Sequence, residues 1–149
     1  MVDTISGNRA LRVAAYGRIS PGGNVMHNGF AELVNHFSSW IQNEEDWIYA
    51  GVYVDRDNDL AERDRLLSDV RAGKIDQVLA QNVSVLRKEA LLELTRGLKE
   101  LNIDMFFEDE SIHTLSEDGE ELISVLASLI QPKPEVPKIQ RKRTIIPRD

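Results

Sequence analysis

The chain has 149 residues, of which 42% are hydrophobic and 29% are charged. This composition suits one globular domain with a sizeable core and excludes a disordered or fibrous chain. The absence of cysteine excludes a disulfide scaffold, a thiolate zinc site and a cysteine nucleophile. The formal net charge of -7 argues against a surface that grips a nucleic acid backbone, because phosphate binding needs a basic face.

The charge is unevenly distributed along the chain. Residues 1–131 hold 12 Lys and Arg against 23 Asp and Glu, a net charge of -11, whereas residues 132–149 hold 6 against 2, a net charge of +4. This predicts three segments: a flexible leader at 1–10, a folded domain at 11–131 and a Pro-rich basic tail at 132–149. We find no signal peptide and no run of the roughly 20 apolar residues that span a bilayer, so we expect a cytoplasmic protein without membrane contact.

Apolar runs of the strand type alternate with stretches of helical periodicity. A mostly apolar run predicts a buried first strand at 11–16, and a loop follows at 17–28. Helical spacing of apolar residues then predicts a first helix at 29–43, capped by Asn28. Further strands are predicted at 47–54, 75–80 and 103–107, with a short fifth at 111–115. Further helices are predicted from residue 60 to a stop at Gly73, at 86–102, and from residue 116 to the prolines that follow Gln131.

This alternation predicts an α/β fold, a three-layer αβα arrangement with a mainly parallel sheet of four to five strands. In open sheets of this kind, ligands bind beyond the carboxyl ends of the strands, where the strand order reverses. We therefore expect a site in the loops that follow Tyr16, Val54, Ala80 and Phe107.

The loop after the first strand holds the main candidate chemistry. Ser20 lies two residues beyond Arg18, which pairs a potential nucleophile with a cation that could bind an oxyanion or a phosphate. By spacing alone, this stretch also fits a structural loop in which the serine bonds local backbone and the glycines turn the chain. Neither the Walker pattern nor the dinucleotide fingerprint is present, so nucleotide binding is a minor idea.

The run Tyr16-Gly17-Arg18-Ile19-Ser20, with the strand before it, resembles the opening strand and Tyr-x-Arg-Val-Ser motif of the serine recombinase (resolvase/invertase) catalytic domain. Large serine recombinases are especially similar. Further segments match the family in the same order over about 120 residues, at 46–55, 72–76, 98–108, 112–115 and 126–131.

The resemblance implies DNA strand exchange without a metal or nucleotide cofactor. It places Ser20 on the nucleophile, which attacks a DNA phosphodiester and forms a transient phosphoseryl link. It places Arg18 on the first of several arginines that neutralise the developing charge. An in-line displacement at phosphorus needs several fixed cations, so the other arginine positions decide whether the site is complete.

Those other positions depart from the family. Of the two arginines that follow the third strand, the first position holds Val85 and the second holds Lys88, which lacks the planar guanidinium. Arg87 lies beside them, but one residue on a helix turns a side chain by about 100 degrees, so we do not expect it to substitute.

A further family arginine falls on Leu60, where Arg63 or Arg65 could replace it if the helix shifts register. The family's glutamine and lysine fall on Leu33 and Gln81. Together these losses predict a recombination protein that is catalytically impaired or accessory to an active recombinase.

The last helix also departs from the family, in which it continues along DNA after forming the dimer contact. Here it is cut at Gln131 by prolines, so we expect DNA contact chiefly within a complex with an active recombinase partner or a homodimer. In the tail, Lys138, Arg141, Lys142 and Arg143 either bind DNA phosphates or belong to a solvated end. Two other functions remain open: a protein-interaction module on the same fold without DNA chemistry, and a small phosphate-ester site at the Ser20 loop.

Three other groups of residues are given structural or neutral interpretations. We interpret the acidic residues as a solvated loop and helix start rather than a metal site, the scattered histidines as having no metal role, and the aromatic residues as core. The acidic residues are Asp55, Asp57, Asp59, Glu62 and Asp64. The histidines are His27, His36 and His113, and the aromatic residues are Phe30, Phe37, Trp40 and Trp47.

Overall fold

The computed structural model of the protein describes residues 10–19, 29–57 and 59–130. The leader up to residue 9, the predicted cap Asn28 and the basic tail at 132–149 lie outside the described residues. Among the helices in the described ranges, none has both the length and the apolar character that a membrane span needs.

Five strands form one sheet in the order β2-β1-β3-β4-β5. The strands are β1 (Leu11–Ile19), β2 (Trp47–Arg56), β3 (Gln77–Ala80), β4 (Asp104–Phe107) and β5 (Ile112–His113). The first four pair in parallel, and β5 pairs with β4 in the antiparallel direction. The predicted fold class, a mainly parallel α/β sheet of four to five strands, is confirmed.

Four α-helices flank the sheet: α1 (Gly29–Gln42), α2 (Ala61–Arg71), α3 (Lys88–Glu100) and α4 (Gly119–Ile130). A short 3-10 turn at Val83–Val85 precedes α3. Alternate residues of β1 face opposite sides, so Val13 and Ala15 pack against α1 while Ala14 and Tyr16 face the core built with α2, α3 and α4. The sheet is therefore the middle of three layers, as predicted, with one helix on one face and three on the other.

The helix α1 approaches β1 closely at Gly17. A Cβ atom at Gly17 would lie 2.3 Å from the Cδ2 atom of Leu33, so any larger residue would force the Leu33 side chain to move. Leu33 packs against the core on this face rather than presenting a polar group to the end of β1.

The structure corrects several predicted boundaries and core assignments. The first strand continues to Ile19 instead of ending at Tyr16, because Gly17, Arg18 and Ile19 pair with the end of β2. Phe30 is 46% exposed and is not core, although Phe37 is buried and Trp40 and Trp47 are partly buried. On α4, Ile123 is buried, whereas three other apolar residues are exposed: Leu122, Val125 and Leu129.

Candidate functional site

A cleft of about 190 Å³ opens at the carboxyl ends of β1, β2 and β3. Arg18 lies near the end of β1, and the other lining residues come from the segments after β2 and β3: Asp57, Leu60, Leu86, Arg87 and Ala90. The strand order reverses here, because β1 lies between β2 and β3 and the chain crosses over it. The cleft is thus at the place where open α/β sheets bind ligands, in the region where the sequence predicts a site.

Arg18 reaches the cleft from the second-last residue position of strand β1. Its Nε atom donates to the carbonyl oxygen of Val85 at 2.6 Å, and its Nη1 atom donates to the carbonyl oxygen of Asp57 at 3.1 Å. Two of the five guanidinium N–H groups are used in this way, and no carboxylate in the described ranges forms an ion pair with Arg18. The side chain is therefore held in position by two loops while its charge stays available to an anion.

Arg87 lines the same cleft and lies two residues after Val85, whose carbonyl oxygen binds Arg18. It is the N-cap residue of α3, with extended backbone at φ -62° and ψ 154°, and its side chain is exposed. Within the part of the chain that the structure describes, its guanidinium has no carboxylate partner. The prediction that Arg87 turns away from the site assumes that it lies within a helix, where one residue rotates a side chain by about 100 degrees. Arg87 instead precedes the first helical residue, so the prediction does not apply.

The residues at the two family arginine positions after β3 serve the fold instead. Val85 contributes its backbone carbonyl to Arg18. The Nζ atom of Lys88 donates to the Oγ atom of Ser128 on α4 at 2.6 Å, which ties the start of α3 to the last helix. Leu60, at a third family arginine position, forms part of the apolar wall of the cleft.

Arg63 does not replace the arginine missing at Leu60. Its side chain is 10% exposed, and its guanidinium binds Asp64, Glu93 and the carbonyl oxygen of Ala90. Burial by itself would lower the pKa of Arg63, but its hydrogen bonds to Asp64 and Glu93 outweigh burial and raise it. The charge of Arg63 is thus compensated inside the domain.

Arg65, the other proposed replacement, also points elsewhere. It donates three hydrogen bonds to Glu62 one turn earlier, and its Cζ atom lies 4.3 Å from the centre of the Tyr53 ring. Neither Arg63 nor Arg65 is among the residues that line the cleft, so neither takes the place of the arginine missing at Leu60.

Asp55, which the sequence suggested was part of a solvated acidic loop, is only 2% exposed. Its carboxylate accepts a hydrogen bond of 2.6 Å from the Tyr16 hydroxyl and hydrogen bonds of 2.7 and 2.9 Å from the backbone N–H groups of Glu62 and Arg63. Burial, followed by the hydrogen bond to Asp55, raises the pKa of Tyr16 well above its ordinary value. The Asp55 carboxylate therefore fixes the N-terminus of α2 to β1 at Tyr16, which lies two residues before Arg18.

Several predicted site residues lie outside the part of the chain that the structure describes. They are Ser20, the predicted nucleophile, and Lys138, Arg141, Lys142 and Arg143 of the tail. Across residues 10–19, 29–57 and 59–130, the acidic and histidine side chains form no group of three that could hold a metal ion.

Neither a protein-family model nor a curated protein matches the chain. Solved structures do match. The N-terminal catalytic domain of TP901-1 integrase superposes with a TM-score of 0.60 at 23% identity, over 79% of this chain and 92% of that domain. The chain has the fold of a serine recombinase catalytic domain.

Two further structures agree with this assignment. A resolvase family site-specific recombinase from Streptococcus pneumoniae gives a TM-score of 0.58 at 18% identity, over 80% of this chain and 85% of that one. The C-terminal catalytic domain of ISC1926 TnpA, an IS607-like serine recombinase, gives 0.54 at 12% identity, over 80% of this chain and 99% of that one. The fold that the sequence resemblance implied is confirmed.

Proposed function

We propose that this protein acts in DNA recombination of the serine recombinase type, with Ser20 as nucleophile and Arg18 as a phosphate ligand. The observation that carries the proposal is the position of Arg18: its guanidinium is held by two backbone carbonyls at the carboxyl end of β1, in a cleft of the matching fold. Ser20 follows two residues later in the chain. A fixed cation beside a hydroxyl nucleophile is what displacement at a phosphodiester requires.

The proposed step conserves the energy of the DNA backbone. A bond forms between the Ser20 Oγ atom and phosphorus while the bond from phosphorus to the leaving sugar oxygen breaks. The serine hydroxyl loses its proton, and the leaving oxygen gains one. Reversal of the step by a sugar hydroxyl rejoins a strand and restores the serine, so no nucleotide cofactor is consumed.

We further propose that the cleavage activity of this chain alone is impaired. Leu60 and the side chain of Val85 supply no charge where the family places arginines, and Lys88 is tied to Ser128. Since the transition state spreads negative charge over several oxygens, each missing cation slows the reaction. A role as a subunit that pairs with an active recombinase, or as a homodimer, fits this site.

Two features of the chain support such an assembly. The exposed residues Leu122, Val125 and Leu129 form an apolar stripe along α4, which a pairing subunit could cover. In the tail, Lys138, Arg141, Lys142 and Arg143 supply positive charge that the acidic body lacks, and we assign them to DNA phosphates.

The test uses the whole chain and a supercoiled plasmid that carries the DNA flanking its coding sequence, with and without a serine recombinase encoded nearby. A covalent protein–DNA adduct that survives denaturation and disappears in Ser20→Ala supports the catalytic role. Salt-dependent DNA binding without an adduct supports the impaired, accessory role. Neutralising Lys138, Arg141, Lys142 and Arg143 together should then weaken binding and reduce its salt dependence. If neither the chain nor the mixture binds this DNA at low salt, the proposal is wrong.

The alternative is a protein-interaction module on the same fold. It is favoured by the acidic body, with its net charge of -11 over residues 1–131, and by the apolar stripe on α4. Failure of DNA binding at low salt would select this alternative. A small phosphate-ester site at the Ser20 loop is the third possibility, and binding of a phosphorylated small molecule that is lost in Arg18→Ala would support it.

A further inference from the structure

We propose that Arg87 is the second phosphate ligand of the cleft, acting together with Arg18 on the same DNA phosphodiester. This assignment rests on the function proposed above and gives that site a cation at a position the family pattern does not predict. It follows from the placement of Arg87, from the lack of a competing partner and from the character of the cleft wall.

The placement of Arg87 is set by its neighbours on either side. Leu86 is buried in the core, and Lys88 begins α3 and binds Ser128 on α4. The carbonyl oxygen of Arg87 accepts the N–H group of Leu91 at 2.8 Å, which fixes the backbone at the first turn of the helix. The backbone is thus anchored while the side chain extends along the cleft.

The two arginines in the first half of α2 are committed elsewhere. Arg63 is held by Asp64 and Glu93, and Arg65 by Glu62. Arg87 is exposed and pairs with no carboxylate among the residues that the structure describes. Its charge can therefore be neutralised by a ligand without breaking an existing ion pair.

The lining of the cleft offers two positively charged side chains, Arg18 and Arg87. Leu60, Leu86 and Ala90 line it with apolar groups, and Asp57, the remaining lining residue, binds Arg18 through its backbone carbonyl oxygen. A phosphate placed there would therefore take its charge-assisted hydrogen bonds from the two guanidinium groups. The small cleft volume fits one phosphate group held between two guanidinium groups rather than a whole nucleotide.

A phosphodiester has two non-bridging oxygens, and each guanidinium can donate two parallel hydrogen bonds to such an anion. With Arg18 held by Val85 and Asp57, Arg87 would supply the second guanidinium group. A lysine at residue 87 would keep the charge but lose the planar pair of donors, so Arg87→Lys should restore only part of the binding.

The experiment measures binding of a fluorescent duplex with the flanking DNA sequence at several salt concentrations, using the chain alone or the recombinase mixture, whichever binds. Arg87→Ala should lower affinity about tenfold and reduce the slope of log affinity against log salt by about one, because one phosphate contact is lost. Arg87→Lys should lie between the two. Arg71→Ala is the matched control, since Arg71 is an exposed arginine in the last turn of α2, at the other end of the sheet.

Unfolding in urea checks each variant, and Arg87→Ala should unfold at the same urea concentration as the wild type. An unchanged slope for Arg87→Ala, or a change no larger than that of Arg71→Ala, would overturn the assignment of Arg87 while leaving the proposed function intact. Absence of wild-type DNA binding in both formats would instead overturn the proposed function, and this assignment with it.

Discussion

The arginines of α2 and the arginines of the cleft differ in what surrounds their charge. Arg63 is 10% exposed and binds two carboxylates and a carbonyl, and Arg65 binds Glu62 and stacks on Tyr53. Among the described residues, Arg18 donates hydrogen bonds to two backbone carbonyl oxygens, and neither Arg18 nor Arg87 has a carboxylate partner. The α2 arginines therefore stabilise the domain, whereas the cleft arginines are available to a ligand.

The difference between the two pairs of arginines is visible in their neighbours along the chain. Arg63 lies between Glu62 and Asp64, and Asp69 lies one turn beyond Arg65, so α2 carries its own counter-charges. No acidic residue adjoins Arg18 or Arg87 in the chain. An arginine among carboxylates is more safely assigned to folding than to phosphate binding.

The largest expected effect comes from the carboxylate that sets α2 beside β1. Asp55→Ala leaves the buried Tyr16 hydroxyl and two N–H groups of α2 without their acceptor. We expect a loss of about 3 kcal/mol in the free energy of unfolding, because buried bonds to a charged group and a helix cap are lost together. Urea unfolding followed by circular dichroism measures it.

Tyr16→Phe is the control for Asp55→Ala, because it removes one of the three hydrogen bonds and keeps the contacts of Asp55 with α2. It should cost about 1 kcal/mol. Equal losses for the two variants would mean that the hydrogen bonds from Asp55 to the N-terminus of α2 contribute nothing to stability.

The next effect separates the two α2 arginines. Arg63→Ala removes a mostly buried side chain with bonds to Asp64, Glu93 and Ala90, and should cost about 2 kcal/mol. Arg65→Ala removes a side chain that is 55% exposed and should cost roughly 0.5 kcal/mol. Urea midpoints of both variants provide the measurement. A strong loss of DNA binding by a folded Arg63→Ala protein would break the distinction between α2 and the cleft.

The sequence was sufficient for most of the fold because two periods alternate along it. The apolar run of β1, the helical spacing in α1 and the stop at Gly73, where φ is +76°, each follow from local patterns. The end of β1 was missed because Gly17, Arg18 and Ile19 are ordered by pairing with β2, a contact that is distant in the chain. The exposed stripe on α4 was missed because periodicity marks an apolar face without showing what covers it.

The candidate site was less predictable than the fold, since it depends on the contacts of individual side chains, and these come from residues distant in the chain. The position of Arg18 followed from its place at the end of the first strand. Arg87 was dismissed because the helix was expected to start before it, whereas α3 begins at Lys88. The burial of Asp55 left no local signal, because its partners come from β1 and from the backbone of α2.

The smallest expected effect concerns a third kind of arginine, exposed and paired. Arg96 on α3 donates to Glu120 on α4 at 2.8 Å, and this hydrogen bond lowers the pKa of Glu120 below its ordinary value of 4.5. A lowered pKa in the folded state means that the pair stabilises the protein above the ordinary pKa, and that this contribution is lost as the pH falls through the folded value. Because both side chains are partly exposed, Glu120→Gln should cost less than about 0.5 kcal/mol near pH 7, and the cost should shrink as the pH falls below the ordinary pKa of 4.5. Urea midpoints at neutral and at acidic pH measure this, with Glu121→Gln as the control, since the adjacent Glu121 has no ion pair among the described residues. A loss that did not shrink at acidic pH would show that Glu120 acts through packing rather than through its charge.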